Sequence, residues 1–144
     1  MAEKILEHDH QHRITYYETD QMGYVHNSNY FRFFEIGREE TMRYAGVCYG
    51  DMEQQGVMMP LITQYARYHT PALYDDIITI RTTIAQMPAA KIHFDYKVLR
   101  IDENGKETLL CEGWNELCFV DRQTRKPMRC PKWVEEKLQK VLPE

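Results

Sequence analysis

The spacing of apolar residues along the chain predicts one long helix followed by a series of strands. Over residues 29–45, apolar and small residues recur every three or four positions, which predicts an amphipathic helix with Gly37 on its buried side. Gly46 is suited to end that helix. Alternation of apolar and polar residues predicts four later strands, at 61–68, 78–84, 92–98 and 109–119. A short terminal helix is predicted over 131–142.

The connections between these elements predict an antiparallel α+β arrangement. Branched and aromatic residues over 14–17 predict one strand before the long helix, and 51–56 is interpreted as a polar connection. Asn104–Gly105 is a strong hairpin signal, and short connections between consecutive strands imply antiparallel pairing. One helix covers only one face of such a sheet. We therefore predict that the other face, or an edge, is covered by a second copy of the chain.

The length and composition predict a single domain. The chain has 144 residues, which suits one domain over 1–144, with a flexible terminus over 1–12. The terminus holds three alternating histidines, which could instead bind a metal: His8, His10 and His12. The formal net charge of −4 gives no general attraction to nucleic acids or anionic membranes.

Cysteine spacing and hydropathy favour a cytoplasmic protein. The four cysteines show no CxxC spacing, so free thiols are a better interpretation than disulfides or a zinc site. The chain contains no apolar stretch long enough to span a bilayer, and its first residues are too polar for a signal peptide.

A candidate catalytic carboxylate lies just before the long helix. Asp20 follows the predicted strand, and Gly23 can adopt the positive φ that a tight loop requires. Asn27, Ser28 and Asn29 are all good N-cap residues, and a helix that starts there presents unpaired N–H groups with a partial positive charge. A carboxylate beside an oxyanion-stabilising helix end suits hydrolysis. The alternative is that Asp20 is an ordinary loop or capping acid.

Two segments resemble a known enzyme family. The segment DQMGYV at 20–25, with Tyr30 ten residues after the acid and FFEIGREE at 33–40, resembles the signature D-x-x-G-x-V-x-x-x-x-Y of the 4-hydroxybenzoyl-CoA thioesterase branch of the hotdog superfamily. RYHTPALYDD at 67–76 resembles that family's proline-containing strand turn. The resemblance implies a hotdog fold, in which an antiparallel five-stranded sheet wraps around one long helix. It also implies homodimers or homotetramers with active sites at the dimer interface.

The resemblance implies roles for individual residues. Asp20 takes the position of the catalytic nucleophile or general base, and the backbone N–H of Asn27 that of the donor polarising the thioester carbonyl. Tyr16 and His26 are expected near the reaction, although core packing for Tyr16 and a flanking position for His26 remain open. Some branches carry histidine where this chain has Asn27. Expected substrate contacts are Gly23, Tyr24, Tyr30, Lys91 and Arg67. An acyl pocket could be shaped by Tyr30, Phe33, Phe34, Tyr65 and Tyr68.

We therefore predict an acyl-CoA thioesterase that releases a free acid and coenzyme A. No metal or redox cofactor is implied, because coenzyme A is part of the substrate. An acyl-carrier-protein thioesterase and a non-catalytic acyl-thioester-binding protein remain open. A hydratase or dehydratase on the same fold is disfavoured, because its Asp and His helix-start pattern is not found. The sequence does not indicate the length or aromatic character of the acyl group.

Overall fold

One 16-residue helix and an antiparallel sheet dominate the computed structural model, which describes residues 5–141. The helices are α1 (Asn29–Tyr44), α2 (Tyr49–Gln54) and α3 (Lys132–Lys140), and a single 3₁₀ turn spans Tyr16–Glu18. The strands are β1 (Leu6–Arg13), β2 (Val57–Met58), β3 (Leu61–Tyr68), β4 (Ile77–Ile84), β5 (Lys91–Ile101), β6 (Glu107–Asp121) and β7 (Pro127–Met128).

The five long strands form one antiparallel sheet. β1 pairs with β4, β4 with β5 and β5 with β6, while β3 pairs with the other side of β6. The two-residue strands β2 and β7 also pair with β6, near its end. The predicted α+β architecture of a five-stranded antiparallel sheet with one long helix is confirmed, and β2 and β7 extend it. β1 and β3 are left as edge strands.

The core lies between α1 and the inner face of the sheet. Phe33 and Phe34 of α1 are fully buried, and the Phe34 ring stacks on Tyr96 of β5 with centroids 4.4 Å apart. Gly37 lies on the same side of the helix. A Cβ atom at this position would lie 2.5 Å from Thr82 Oγ1 and 2.6 Å from Ile80 Cγ2. The glycine therefore permits a close approach of helix to sheet, as its place on the predicted stripe indicated.

The predicted flexible terminus is wrong for the residues that the structure describes. β1 pairs with β4 in unbroken register from Leu6 to Arg13, while residues 1–4 lie outside the described part of the chain. The strand lacks apolar alternation because histidines take its inward positions. The His8 ring lies 4.9 Å from Tyr44 of α1, and the His12 ring lies 5.2 Å from Phe33. Within residues 5–141, His, Cys, Asp and Glu side chains form no cluster of three that could hold a metal ion.

Two other predicted elements differ from the structure. The strand predicted at 14–17 is replaced by the 3₁₀ turn, because the Glu18 carboxylate accepts the Thr15 N–H at 2.7 Å and closes the chain into a turn. The segment 51–56, interpreted as a connection, lies mostly in α2. One apolar residue of that polar helix, Met52, is buried in the core and anchors it.

The remaining elements agree with the predictions, and the four cysteines are free thiols. Cys111 and Cys130 are buried, and burial raises the pKa of both thiols to about 12. Both are therefore poor nucleophiles near neutral pH. In the part of the chain from residue 5 to residue 141, no helix combines the length and apolar character needed to cross a membrane.

Candidate active site

A hollow of about 300 Å³ lies where the loop before α1 meets the end of β3. The loop and the first turn of the helix supply Asp20, Tyr24, His26, Asn27 and Tyr30, while β3 supplies Tyr68. Larger hollows lie elsewhere: two of about 430 Å³, beside Trp114 on the sheet and beside Arg38 on α1, and one of about 720 Å³ beside Arg100. We assign the site to the smaller hollow because it combines a carboxylate with the start of the long helix.

Asp20 is held by a loop that folds back on itself. Its Oδ1 accepts the amide N–H groups of Met22 at 2.8 Å and Tyr24 at 3.3 Å, and its own amide donates to the Tyr24 carbonyl at 2.8 Å. Gly23 closes the turn with φ of +80°, the conformation for which glycine was predicted. Among residues 5–141, no donor occupies Asp20 Oδ2. That oxygen is therefore available to a ligand in the hollow.

Loop geometry alone does not distinguish Asp20 from an ordinary turn acid. Asp102 in the β5–β6 hairpin also accepts two amides through Oδ1, from Asn104 and Lys106, both at 2.9 Å. This arrangement is common where an aspartate closes a turn. What distinguishes Asp20 is its surroundings, because it lines a hollow that also contains the N-terminal end of α1.

Asn27 presents a free backbone donor at that end. The carbonyl of Asn27 accepts the Tyr30 amide at 3.2 Å, whereas its own N–H donates no hydrogen bond within residues 5–141. It lies just ahead of Ser28, the N-cap of α1. The unpaired N–H groups at a helix start carry a partial positive charge, so this amide is suited to stabilise a developing oxyanion.

His26 is exposed at the rim of the hollow and bound to its neighbour. Its Nδ1 accepts the Ser28 amide N–H at 3.2 Å and lies 2.8 Å from Ser28 Oγ. Because an N–H donor points at Nδ1, the neutral ring carries its proton on Nε2. In that form Nε2 can donate a hydrogen bond, but it cannot accept a proton. The geometry thus favours the flanking position over a role as base.

Two tyrosines form the wall opposite the loop. Tyr30 is buried, its hydroxyl accepts the Ala72 amide at 3.4 Å, and burial raises its pKa. Tyr68 meets the Tyr30 ring edge-on at 5.4 Å and donates through its hydroxyl to the Asn27 carbonyl at 3.4 Å. The Tyr68 pKa is also raised, by burial. Both phenols therefore stay neutral near pH 7, and Tyr68 touches the very residue that carries the free amide.

Four of the expected site residues do not line the hollow: Gly23, which closes the Asp20 turn, and three residues whose side chains lie elsewhere. Tyr16 is 78% exposed and packs edge-on against Tyr74 at 5.8 Å, so the alternative of core packing is wrong. Lys91 is exposed at the start of β5 and pairs with Cys118. Arg67 is exposed on β3 and, next to Tyr68, points to the opposite face of the strand. The single chain does not bring these three side chains to Asp20.

The structure adds residues that sequence reasoning did not assign to the site. The rest of the lining is formed by Val25, His69, Thr70, Pro71 and Leu110. The first four belong to the segments 20–25 and 67–76 that carry the family resemblance, so a signal existed for them. Leu110 lies on β6 far along the chain and had no local signal. The predicted acyl-pocket residues Phe33 and Phe34 are instead fully buried in the core.

The buried Glu18 side chain stabilises the start of the loop that contains Asp20. It is only 7% exposed, and its carboxylate accepts the Thr15 amide at 2.7 Å and lies 2.9 Å from His12 Nε2. Burial disfavours the charged form, but the hydrogen bonds from Thr15 and His12 outweigh it. The pKa of Glu18 therefore lies below its usual value of 4.5.

We expect Glu18→Gln to destabilise the protein by about 1.5 kcal/mol near neutral pH, because Thr15 and His12 then face a neutral side chain in place of a charged carboxylate. A lowered folded-state pKa stabilises the fold above 4.5, and that contribution disappears as pH falls through the folded value. Urea unfolding of both proteins at several pH values measures the difference. It should shrink on acidification, and a constant difference would contradict the assignment.

Comparison with known proteins agrees with the fold. The family model described as the thioesterase-like superfamily matches residues 14–138. A putative esterase of Aquifex aeolicus is 36% identical over 93 residues, covering 65% of this chain and 73% of that protein. A putative acyl-CoA thioesterase of Bacillus subtilis, YneP, is 29% identical over 116 residues, covering 81% of each chain.

A solved structure shares the architecture. The 4-hydroxybenzoyl-CoA thioesterase from Pseudomonas sp. strain CBS-3 superposes with a TM-score of 0.80, covering 92% of this chain and 99% of that one. At 21% identity this likeness establishes the fold alone. The hotdog fold and the resemblance inferred from 20–25 and 67–76 are confirmed. The chain belongs to the thioesterase-like superfamily, a family of hotdog-fold thioester hydrolases.

Proposed function

We propose that this protein hydrolyses acyl-CoA thioesters to a free acid and coenzyme A, with Asp20 as the reacting carboxylate. The observation that carries the proposal is one hollow with two unpaired groups of opposite character. One is Asp20 Oδ2, and the other is the Asn27 N–H at the positive end of α1. Acyl-CoA hydrolysis is also the activity in the name of the relative YneP.

In the proposed reaction, the thioester carbonyl oxygen accepts the Asn27 N–H. As negative charge develops on that oxygen, the donor at the helix start stabilises it more strongly than it stabilises the ground state. Because the donor is part of the backbone, it is already in place before the substrate arrives. Its contribution costs no reorganisation during the reaction.

Asp20 can then act in two ways. As a nucleophile, Oδ2 bonds to the carbonyl carbon, the C–S bond breaks, and water later hydrolyses the mixed anhydride. As a general base, the carboxylate takes a proton from a water molecule that attacks the same carbon. In both routes the CoA thiolate leaves and takes up a proton from solvent. A thiolate is a good leaving group, so a charge-relay triad is not required.

The walls of the hollow restrict how the thioester can sit. The Tyr30 hydroxyl oxygen accepts the Ala72 amide, while the Tyr68 hydroxyl donates to the Asn27 carbonyl, in the peptide unit that follows the Asn27 N–H. Gly23 and Tyr24 position Asp20 through backbone hydrogen bonds, and Tyr24 also lines the hollow. His26 Nε2 is a donor at the rim, where it can contact a polar part of the substrate.

A second copy of the chain is proposed to complete the site. β3 is an edge strand with four large apolar side chains nearly half exposed, namely Leu61, Ile62, Tyr65 and Tyr68. Exposed edges of this kind favour pairing with another chain. Because Tyr68 belongs both to this edge and to the hollow, a dimer through β3 would bring a partner to the site. Lys91 and Arg67 remain candidates for contacts with CoA phosphates in that assembly.

A substrate panel tests the proposal. The wild-type protein is offered aliphatic and aromatic acyl-CoA esters, the same acyl groups on an acyl carrier protein, and matched oxygen esters, and free thiol is measured. We expect equal release of thiol and acid from acyl-CoA. Preference for carrier-bound acyl groups would favour the carrier-protein alternative. Tight binding of acyl-CoA without thiol release would contradict hydrolysis and favour a binding protein.

A further inference from the structure

Two buried polar residues join the start of the catalytic loop to the start of the helix. Glu18 and Asn29 are each only 7% exposed. The Asn29 side-chain amide donates to the Glu18 carbonyl at 2.9 Å, across eleven positions of sequence. The same carbonyl accepts the His26 backbone N–H, also at 2.9 Å. One oxygen atom therefore closes the loop that contains both Asp20 and Asn27.

The Glu18 side chain fixes that oxygen relative to the rest of the fold. Its carboxylate is held by the Thr15 amide and by His12 of β1, as described above. Asn29 is the first residue of α1, so its backbone is fixed by the helix. β1, the 3₁₀ turn and α1 thus meet at the Glu18–Asn29 pair. Asp20 lies two residues after one member of the pair, and Asn27 lies two residues before the other.

We propose that the Glu18–Asn29 pair is a positioning device that sets the separation between the Asp20 carboxylate and the Asn27 amide. This inference rests on the proposed thioesterase function. Neither side chain is among those that line the hollow, so neither touches the substrate. Their contribution is geometric, because a carboxylate and an oxyanion donor act on one carbonyl only while their separation and orientation are fixed.

Asn29→Asp is the sharpest test. The variant has nearly the same shape, but an ionised carboxylate cannot donate to the Glu18 carbonyl. A negative charge in the first turn of a helix is favourable, so α1 itself is not weakened. We expect kcat to fall by about 10- to 100-fold while KM changes by less than about threefold, because misplaced catalytic groups affect the reaction more than binding.

The pH profile separates positioning from a structural defect. A protonated carboxyl at position 29 regains an O–H donor toward the Glu18 carbonyl. The activity of Asn29→Asp relative to wild type should therefore recover as pH is lowered. Hydrogen exchange at the His26 amide gives a readout that needs no substrate. In Asn29→Asp at neutral pH we expect this amide to exchange faster than in the wild type.

Asn115→Asp is a matched control. Asn115 is fully buried, its side chain accepts the Tyr96 hydroxyl at 2.8 Å and donates to Gln64 at 3.3 Å, and it does not line the hollow. The same chemical change there should lower stability but leave kcat within about twofold of wild type. If Asn29→Asp fails to fold, Asn29→Ala removes the donor without adding a charge, with the same expected loss of kcat.

The outcomes distinguish this inference from the proposed function. A wild-type protein that hydrolyses thioesters, with unchanged kcat in both Asn29 variants, overturns the positioning role. Equal loss of kcat in Asn29→Asp and Asn115→Asp also overturns it, because the effect would then be loss of folded protein. If the wild type hydrolyses no thioester, the proposed function fails. Hydrogen exchange at the His26 amide then tests the Glu18–Asn29 pair by itself. An exchange rate in Asn29→Asp equal to that of the wild type overturns the positioning role.

Discussion

Replacing Asp20 by asparagine is expected to lower kcat by about 10²- to 10⁴-fold, the range associated with loss of a positioned acid–base group. The side chain keeps its shape, and its carbonyl oxygen can still accept the Met22 and Tyr24 amides that bind Oδ1. An amide, however, neither attacks a carbonyl nor takes a proton from water. We therefore expect KM to change little, since the loss is confined to the transition state.

Asp102→Asn is the control for this substitution. Asp102 makes the same pair of hydrogen bonds to amides two and four residues later, in a hairpin away from the hollow. Both variants therefore undergo the same change in loop chemistry. Thiol release from an acyl-CoA ester should be lost in Asp20→Asn and retained in Asp102→Asn. Full turnover by a folded Asp20→Asn protein would rule out the proposed role.

Gly37→Ala is expected to be the most damaging small substitution in the long helix. The added methyl group would lie within 2.6 Å of both Thr82 Oγ1 and Ile80 Cγ2. Both neighbours are β-branched residues on a central strand, and such side chains cannot easily rotate away. The helix must move from the sheet, which we expect to lower the free energy of unfolding by about 2–3 kcal/mol.

Gly50→Ala supplies the comparison. Gly50 also lies in a helix, α2, but nothing lies within 4 Å of a Cβ atom placed there. That substitution should be neutral or stabilising by up to about 1 kcal/mol, because alanine is the better helix former. Denaturant unfolding of the two variants measures both effects. Equal stability of Gly37→Ala and wild type would show that the helix does not pack against the sheet as closely as described.

The helix and the later strands could be predicted because their patterns come from burial. α1, β4, β5 and β6 each bury one face. The apolar residues of that face recur at the period of a helix or a strand, so the element can be predicted from the sequence. β1 could not be predicted, because its inward positions are the polar residues His8, His10 and His12. Its stability comes from backbone pairing with β4 and from ring contacts with α1, neither of which leaves an apolar pattern.

The candidate site likewise contains residues that the sequence could predict and one that only the fold brings there. Asp20, Gly23 and Asn27 are close in sequence, and local rules predict the turn at Gly23 and a helix start beside Asn27, although the N-cap is Ser28. Tyr68 reaches the site from a strand forty-one residues after Asn27, so only the fold reveals its contact with that carbonyl. Lys91 and Arg67 were predicted from family likeness. Both are exposed in the single chain, and neither lines the hollow.

The most direct test of the account is a crystal structure of Asp20→Asn with an uncleaved acyl-CoA bound. We predict that the thioester carbonyl oxygen lies about 3 Å from the Asn27 amide nitrogen, the separation of a hydrogen bond to an oxyanion donor. The side chain at position 20 should face the carbonyl carbon. A thioester bound outside this hollow, with the Asn27 amide still unoccupied, would contradict the account.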